Sequence, residues 1–285
     1  MPGAKIGVLD SGVGGLSVLR EIHALLPDYP TIYFADQDHL PYGPRPHAEV
    51  RAYVTAIADF LIDQGAVVIV IACNAASAAS LLDLRAQYSG IPLVGMEPAV
   101  KPAATATHSG VIGVLTTQAT ASGPLYARVR QQFASDTRVI TQVAPELVEI
   151  VENNSQHTPE SRRIIADHLQ PMLDAGADHV VLACTHFPFL TETIQALVGD
   201  KMHIVNPGPA VARQTARVWP SAIRPDTAEN QYYTSGDPAQ FSMMLHTLIG
   251  LDGLVQQAVW QADAMPPRLL KANERHNASQ IKPIT

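Results

Sequence analysis

The chain is poor in cysteine. Two occur among 285 residues, Cys73 and Cys184, which excludes a small scaffold built on disulfides. There is no Cys-x-x-Cys and no His-x-x-x-His, so no structural zinc site is expected and no metal ligands are assigned. Long apolar runs are missing too: the longest, Ala66 to Cys73, falls far short of the roughly 20 residues that span a bilayer, so no membrane contact is expected. Positive charge is in deficit, with 19 Lys and Arg against 26 Asp and Glu and a net charge of −7. That balance argues against nucleic acid as the main partner. The first residues run almost directly into a strand pattern, without a charged segment followed by an apolar one, so no signal peptide is expected. Free thiols in a reducing cytoplasm follow from that expectation.

The two cysteines end similar stretches. Asp63-Gln-Gly-Ala leads through Val-Val-Ile-Val-Ile-Ala to Cys73, and Asp174-Ala-Gly-Ala leads through Asp-His-Val-Val-Leu-Ala to Cys184. Ile6-Gly-Val-Leu9 recurs as Ile112-Gly-Val-Leu115 in the same order and at nearly the same spacing. Such recurrence predicts a duplicated half. Short β-branched runs at 5–9, 31–35, 67–72, 93–95, 110–116, 139–142, 179–183 and 203–205 read as buried parallel strands. Between them, 15–26, 48–64, 75–89, 124–133, 159–175 and 189–198 read as helices, with Gly65, Gly90 and Gly176 at helix ends. The expected class is α/β, with parallel-rich sheets, helices on both faces and sites at the carboxyl ends of strands. The tail after Asp263, with Pro266 and Pro267, is expected to be loosely ordered and is given no chemistry.

Four strand-end loops are candidates: Asp10-Ser11-Gly12, Asp36 onward, Cys73-Asn74 and Cys184-Thr185-His186. A single cysteine reads as a buried small hydrophobe. A matched pair facing helix N-termini, beside Asn74, Thr185 and His186, reads as chemistry. Asp10-Ser-Gly-Val-Gly-Gly15 could cradle an anion with backbone N–H groups, but it lacks the full dinucleotide pattern and a P-loop lysine. The stiff loop Leu40 to Pro46 could wall a small pocket, and Thr116, Thr117 and Thr120 offer hydroxyls at the mirror position of Asp10-Ser11. Two opposed thiols suit removal of a proton from one face of a carbon and its return on the other, with the roles of base and acid swapping for the reverse reaction. No pyridoxal-phosphate lysine motif is evident, so no cofactor is expected. Asn74, Thr185 and the N–H groups beside them are natural donors to substrate carboxylates.

The set Gly7-Val-Leu-Asp-Ser-Gly-Val-Gly-Gly-Leu-Ser17, Pro41-Tyr-Gly43, Ala72-Cys-Asn-Ala-Ala-Ser77 and Ala183-Cys-Thr-His-Phe-Pro188 resembles the glutamate racemases, over about residues 6–218. The resemblance implies cofactor-independent interconversion of L- and D-glutamate, supplying D-glutamate for peptidoglycan. It implies that Cys73 takes the proton from D-glutamate and Cys184 from L-glutamate, assisted by Asp10, His186, Asp36 and Glu152. It implies substrate contacts at Asp10, Ser11, Tyr42, Gly43, Asn74, Ala75, Thr185 and His186, to which the mirror reading adds Thr117 and Thr120. It also implies two α/β domains across a cleft, 1–97 with 208–263 and 98–207, followed by the tail 264–285, and homodimers as a common state. Three departures stand out: Ala75 where the family usually has Thr, Val205-Asn-Pro-Gly in place of Ile-Asp-Ser/Pro, and no cysteine at Ala144-Pro-Glu. Ala75 lies beside one thiol only, so any handicap is expected to begin on the Cys73 side. The alternatives are a racemase of aspartate or another acidic amino acid, and a weakly active binding or regulatory protein on the same scaffold.

Overall fold

The computed structural model describes residues 3–261 and 269–272. Strand and helix alternate from the start: β1 (Lys5–Asp10), α1 (Leu16–Leu25), β2 (Thr31–Ala35), α2 (His47–Asp63), β3 (Ala66–Ile71), α3 (Asn74–Gln87) and β4 (Leu93–Gly95). After α4 (Val100–Ala106) the pattern repeats as β5 (Val111–Thr116), α5 (Gln118–Ser122), α6 (Pro124–Phe133), β6 (Arg138–Val143), α7 (Glu146–Glu152), α8 (Pro159–Asp174), β7 (His179–Ala183), α9 (Thr191–Val198) and β8 (His203–Val205). The chain ends its described course with α10 (Gly208–Val218), β9 (Gln231–Thr234), α11 (Pro238–Ile249), β10 (Val255–Trp260) and β11 (Leu269–Lys271).

The described strands form two sheets, ordered β11-β10-β9-β2-β1-β3-β4 and β6-β5-β7-β8. All neighbours are parallel except β10 and β11. The core of each sheet repeats one order, β2-β1-β3-β4 and β6-β5-β7-β8. The register repeats as well. Leu9 pairs with Ile71 and Leu115 with Leu182, so each cysteine stands two residues beyond an equivalent pair. The glycines of the two turns serve the same purpose: Gly65 and Gly176 take φ of +99° and +74°, conformations that cost a Cβ-bearing residue energy.

Alternate residues of each strand enter different apolar clusters, as the pleat requires. Val8, Tyr33 and Val70 face α1, α10 and α11, while Leu9, Phe34 and Ile71 face α2 and α3. In the second sheet, Leu115 and Leu182 face α7, α8 and α9, and Val114 and Val181 face the α4 and α6 side. One cluster contains side chains of both sheets, so a continuous core lies between them.

Three expectations are corrected. The helix expected at 189–198 begins at Thr191, because Phe187–Leu190 forms a tighter 3₁₀ turn around Pro188. Part of the tail is ordered: Leu269–Lys271 pairs antiparallel with β10, whereas 264–268 and 273–285 lie outside the described residues. Helix α11 was not expected, although Asp237 caps it, Pro238 opens it and Gly250 closes it at φ +67°.

Candidate active site

Both thiols line one cavity of about 30 Å³ with Ser11, Tyr42, Asn74, Thr117, Thr185 and His186 among its other walls. That space holds one or two waters. An acidic amino acid is several times larger, so the described conformation is closed and its walls must separate to admit one. Leu40 to Gly43 form one wall, as the stiff loop suggested, and Gly43 approaches Thr117 across the cleft.

Cys73 is the N-cap of α3, and its Sγ accepts the Ala76 N–H at 3.5 Å. Ser11 Oγ lies 4.0 Å from it. Burial pushes the Cys73 thiol pKa up well above the ordinary range, and the negative charge of Asp10 adds to the effect. Asp10 itself is fully buried at the end of β1. Its Oδ1 accepts the Gly12 N–H at 2.8 Å and its Oδ2 accepts the Thr185 hydroxyl at 2.9 Å, which ties the two halves together. Burial raises the Asp10 pKa to about 6, against the opposing charge of His186 and these two hydrogen bonds.

The other thiol has a different neighbour. Cys184 Sγ lies 3.7 Å from Nδ1 of His186, whose Nε2 lies 2.7 Å from Oε1 of Glu152. The same Glu152 oxygen accepts the Val13 N–H at 2.9 Å. Burial disfavours charge on His186, but its bonds to Cys184 and Glu152 outweigh burial and raise its pKa well above the usual histidine range. One thiol therefore faces an acid and the other a cation.

Within the Gly-rich loop, the Val13 N–H donates to the carboxylate of Glu152, while Ser11 lines the cavity. Side chains on Gly12 and Gly14 would collide with Glu152 and His186, which explains the glycines there. Asn74 is 3% exposed, and neither its amide nitrogen nor its amide oxygen has a partner. Leaving both unpaired costs free energy unless water or a ligand supplies the bonds.

A family model described as Asp/Glu/hydantoin racemase matches residues 6–215. The chain belongs to this family. It is 45% identical over 251 residues to a glutamate racemase of Ectopseudomonas mendocina, spanning 87% of this chain and 95% of that protein. Its fold is similar to that of the glutamate racemase RacE1 of Bacillus anthracis, with a TM-score of 0.81 at 29% identity over 90% of this chain and 97% of the other. The Escherichia coli glutamate racemase, solved with L-glutamate and the activator UDP-MurNAc-ala, gives a TM-score of 0.80 at 32% identity over 90% and 98%.

Within this racemase family member, not every expected residue reaches the cavity. Ser11, Tyr42, Gly43, Asn74, Ala75, Thr117, Thr185 and His186 line it with the cysteines. Asp10 and Glu152 stand one hydrogen bond behind. Thr120 accepts the Thr117 hydroxyl at 3.3 Å and does not line the cavity. Asp36 hydrogen-bonds neither thiol; its carboxylate is taken by Tyr42, His39, Ser235 and Trp260. The Thr185 hydroxyl donates its proton to Asp10, which leaves its oxygen lone pairs as acceptors. Sequence reading missed Ser17, whose Oγ lies 2.8 Å from the carbonyls of Gly14 and Thr185, and Tyr33, whose hydroxyl donates to Gly12 O at 2.8 Å. Ser17 lies within the Gly-rich motif; Tyr33 carried no local signal. Among the described residues, no three His, Cys, Asp or Glu side chains are placed to hold a metal ion. No helix among them is long and apolar enough to cross a membrane.

Proposed function

We propose that this protein interconverts L- and D-glutamate by proton transfer between two thiols. The observation that carries this reading is the placement of Cys73 and Cys184 at equivalent register positions on one shared cavity. The Cα proton of D-glutamate passes to the Cys73 thiolate, while Cys184 delivers a proton to the opposite face; L-glutamate runs the same steps in reverse. No net proton is consumed. The Asn74 amide, unpaired in the closed cavity, offers its N–H groups to a substrate carboxylate, and the Thr185 oxygen faces the ammonium.

The asymmetry of the two thiols assigns a task to the substrate. Cys184 has a built-in cation in His186, and Glu152 supports that charge. Cys73 has no such partner, and burial beside Asp10 keeps it a thiol. The ammonium of the bound amino acid supplies the missing positive charge, so Cys73 ionises only when substrate is present. Protonation of Asp10 near pH 6 works in the same direction.

This reading places the reaction in a reducing cytoplasm, since both free cysteines must stay thiols, and gives its product a use in peptidoglycan synthesis. It treats 1–97 with 208–263 and 98–207 as two lobes whose separation opens the cleft, in a homodimer. The test is incubation with D- or L-glutamate, and separately with aspartate, in D2O without added pyridoxal phosphate. Inversion and loss of the Cα proton signal with glutamate are expected. Activity confined to aspartate would reassign the substrate, and no exchange with either would remove the enzymatic reading.

A further inference from the structure

The strands that return to the first sheet after residue 208 bring two side chains against the back of the cleft wall. Ser235 follows β9, and Trp260 ends β10. Both lie beyond the stretch matched by the family model. They converge on Asp36, just past the end of β2 and 0% exposed. Asp36 Oδ1 accepts the Ser235 hydroxyl at 2.9 Å and the Trp260 indole N–H at 2.9 Å. Its Oδ2 accepts the Tyr42 hydroxyl at 2.6 Å, and His39 Nδ1 lies 2.9 Å from the same oxygen.

These bonds set the position of Tyr42. The Tyr42 ring lines the cavity, but its hydroxyl is drawn backward to Asp36. Behind it, His39 stacks on Tyr53 at 3.7 Å between centroids and meets the edge of Trp260 at 4.9 Å. Ser235 is fully engaged, since its oxygen also accepts the Asp38 N–H at 3.0 Å. The Asp36 backbone N–H donates to the Asp10 carbonyl at 2.9 Å, so the hub is joined to the proton-transfer machinery as well. A buried carboxylate needs its donors; when one is lost it moves toward the others or toward water, and Tyr42 moves with it.

We propose that Trp260 and Ser235 are positioning residues for the substrate cleft: acting through the Asp36 carboxylate, they hold the Tyr42 wall where it closes on the amino acid. This rests on the reading of the cavity as an amino-acid site. It gives the C-terminal strands a part in substrate binding that no motif on them announces.

The test is a pair of double-mutant cycles read in KM and kcat with D- and L-glutamate. Trp260→Phe keeps an aromatic ring near His39 and Tyr53 and removes the N–H together with part of the indole; the loss of packing is common to both backgrounds, so the cycle isolates the part that acts through Tyr42. The substitution is expected to raise KM about tenfold, equivalent to about 1.4 kcal/mol, with little change in kcat. Tyr42→Phe cuts the link between the hub and the wall. In that background Trp260→Phe should add no further rise. Ser235→Ala, in the same two backgrounds, should repeat the pattern and keeps the test sound if Trp260→Phe fails to fold. An unmoved KM, or the same rise in both backgrounds, would overturn the positioning role while an active wild type leaves the glutamate reading standing. A wild type inactive on every acidic amino acid would overturn both.

Discussion

Glu152→Gln isolates the charge that supports the Cys184 side. In the native site a single oxygen of Glu152 accepts both the Val13 N–H at 2.9 Å and His186 Nε2 at 2.7 Å. The amide oxygen of glutamine can take the same two bonds with the same shape, so the fold should be spared and only the negative charge lost. A hydrogen bond to a charged group contributes about 1.5–3 kcal/mol, and each 1.36 kcal/mol is a factor of about ten in rate. A fall in kcat/KM of roughly ten- to a hundredfold is therefore expected. Because the two enantiomers have equal free energy, kcat/KM for the two directions must fall by one common factor; any asymmetry appears in kcat and KM separately. Charge on Glu152 helps hold the His186 pKa well above the usual histidine value, so its removal lets His186 deprotonate at lower pH. The basic limb of the pH–rate profile should then move to lower pH. Initial rates by polarimetry or circular dichroism from both enantiomers, over pH 6 to 10, would measure this. An unchanged kcat/KM with an unmoved basic limb would refute the role assigned to the pair.

Asp10→Asn should remove a pH-dependent cost to stability. The folded-state pKa of Asp10 is raised from 3.8 to about 6, so between those values the folded protein holds a proton that the unfolded chain releases. Stability falls as pH rises through that window, by at most about 3 kcal/mol above it. The advantage of Asp10→Asn in thermal or urea unfolding should therefore grow from pH 4 to pH 7.5; a constant difference would contradict the burial argument. Ala75→Thr adds a hydroxyl to a cavity-lining position that is 7% exposed. It should lower the KM for glutamate by about two- to tenfold, the worth of one hydrogen bond. An unchanged KM would show that the missing hydroxyl is not missed.

What could be read from the residues was what repeats locally. Strands β1, β2, β3, β5 and β7 were legible because they are almost wholly buried, and the glycines Gly65 and Gly176, which take positive φ, marked the turns before both cysteine strands. The duplication was legible in Ile6–Leu9 and Ile112–Leu115, because both occupy the strand beside a cysteine strand in the same register. Contacts across the fold left no such trace. Val13 meets a carboxylate 139 residues away, so the part of the Gly-rich loop in seating Glu152 had no local sign. Asp36 meets Trp260 across 224 residues, and its place behind Tyr42 had no local signature. Strands β9 and β10 were missed because Gln231, Gln256 and Gln257 break the apolar pattern at the outer part of the sheet. The difference between the two thiols was hidden for the same reason: it depends on Asp10 and His186 meeting opposite sides of one cavity.

The two-thiol account is tested most directly by Cα hydrogen exchange in D2O with Cys73→Ala and Cys184→Ala. With Cys73 alone, the Cα proton of D-glutamate should wash out without inversion; with Cys184 alone, the same should hold for L-glutamate. Normal inversion by either variant, or exchange of the opposite enantiomer, would contradict the assignment of one thiol to each face.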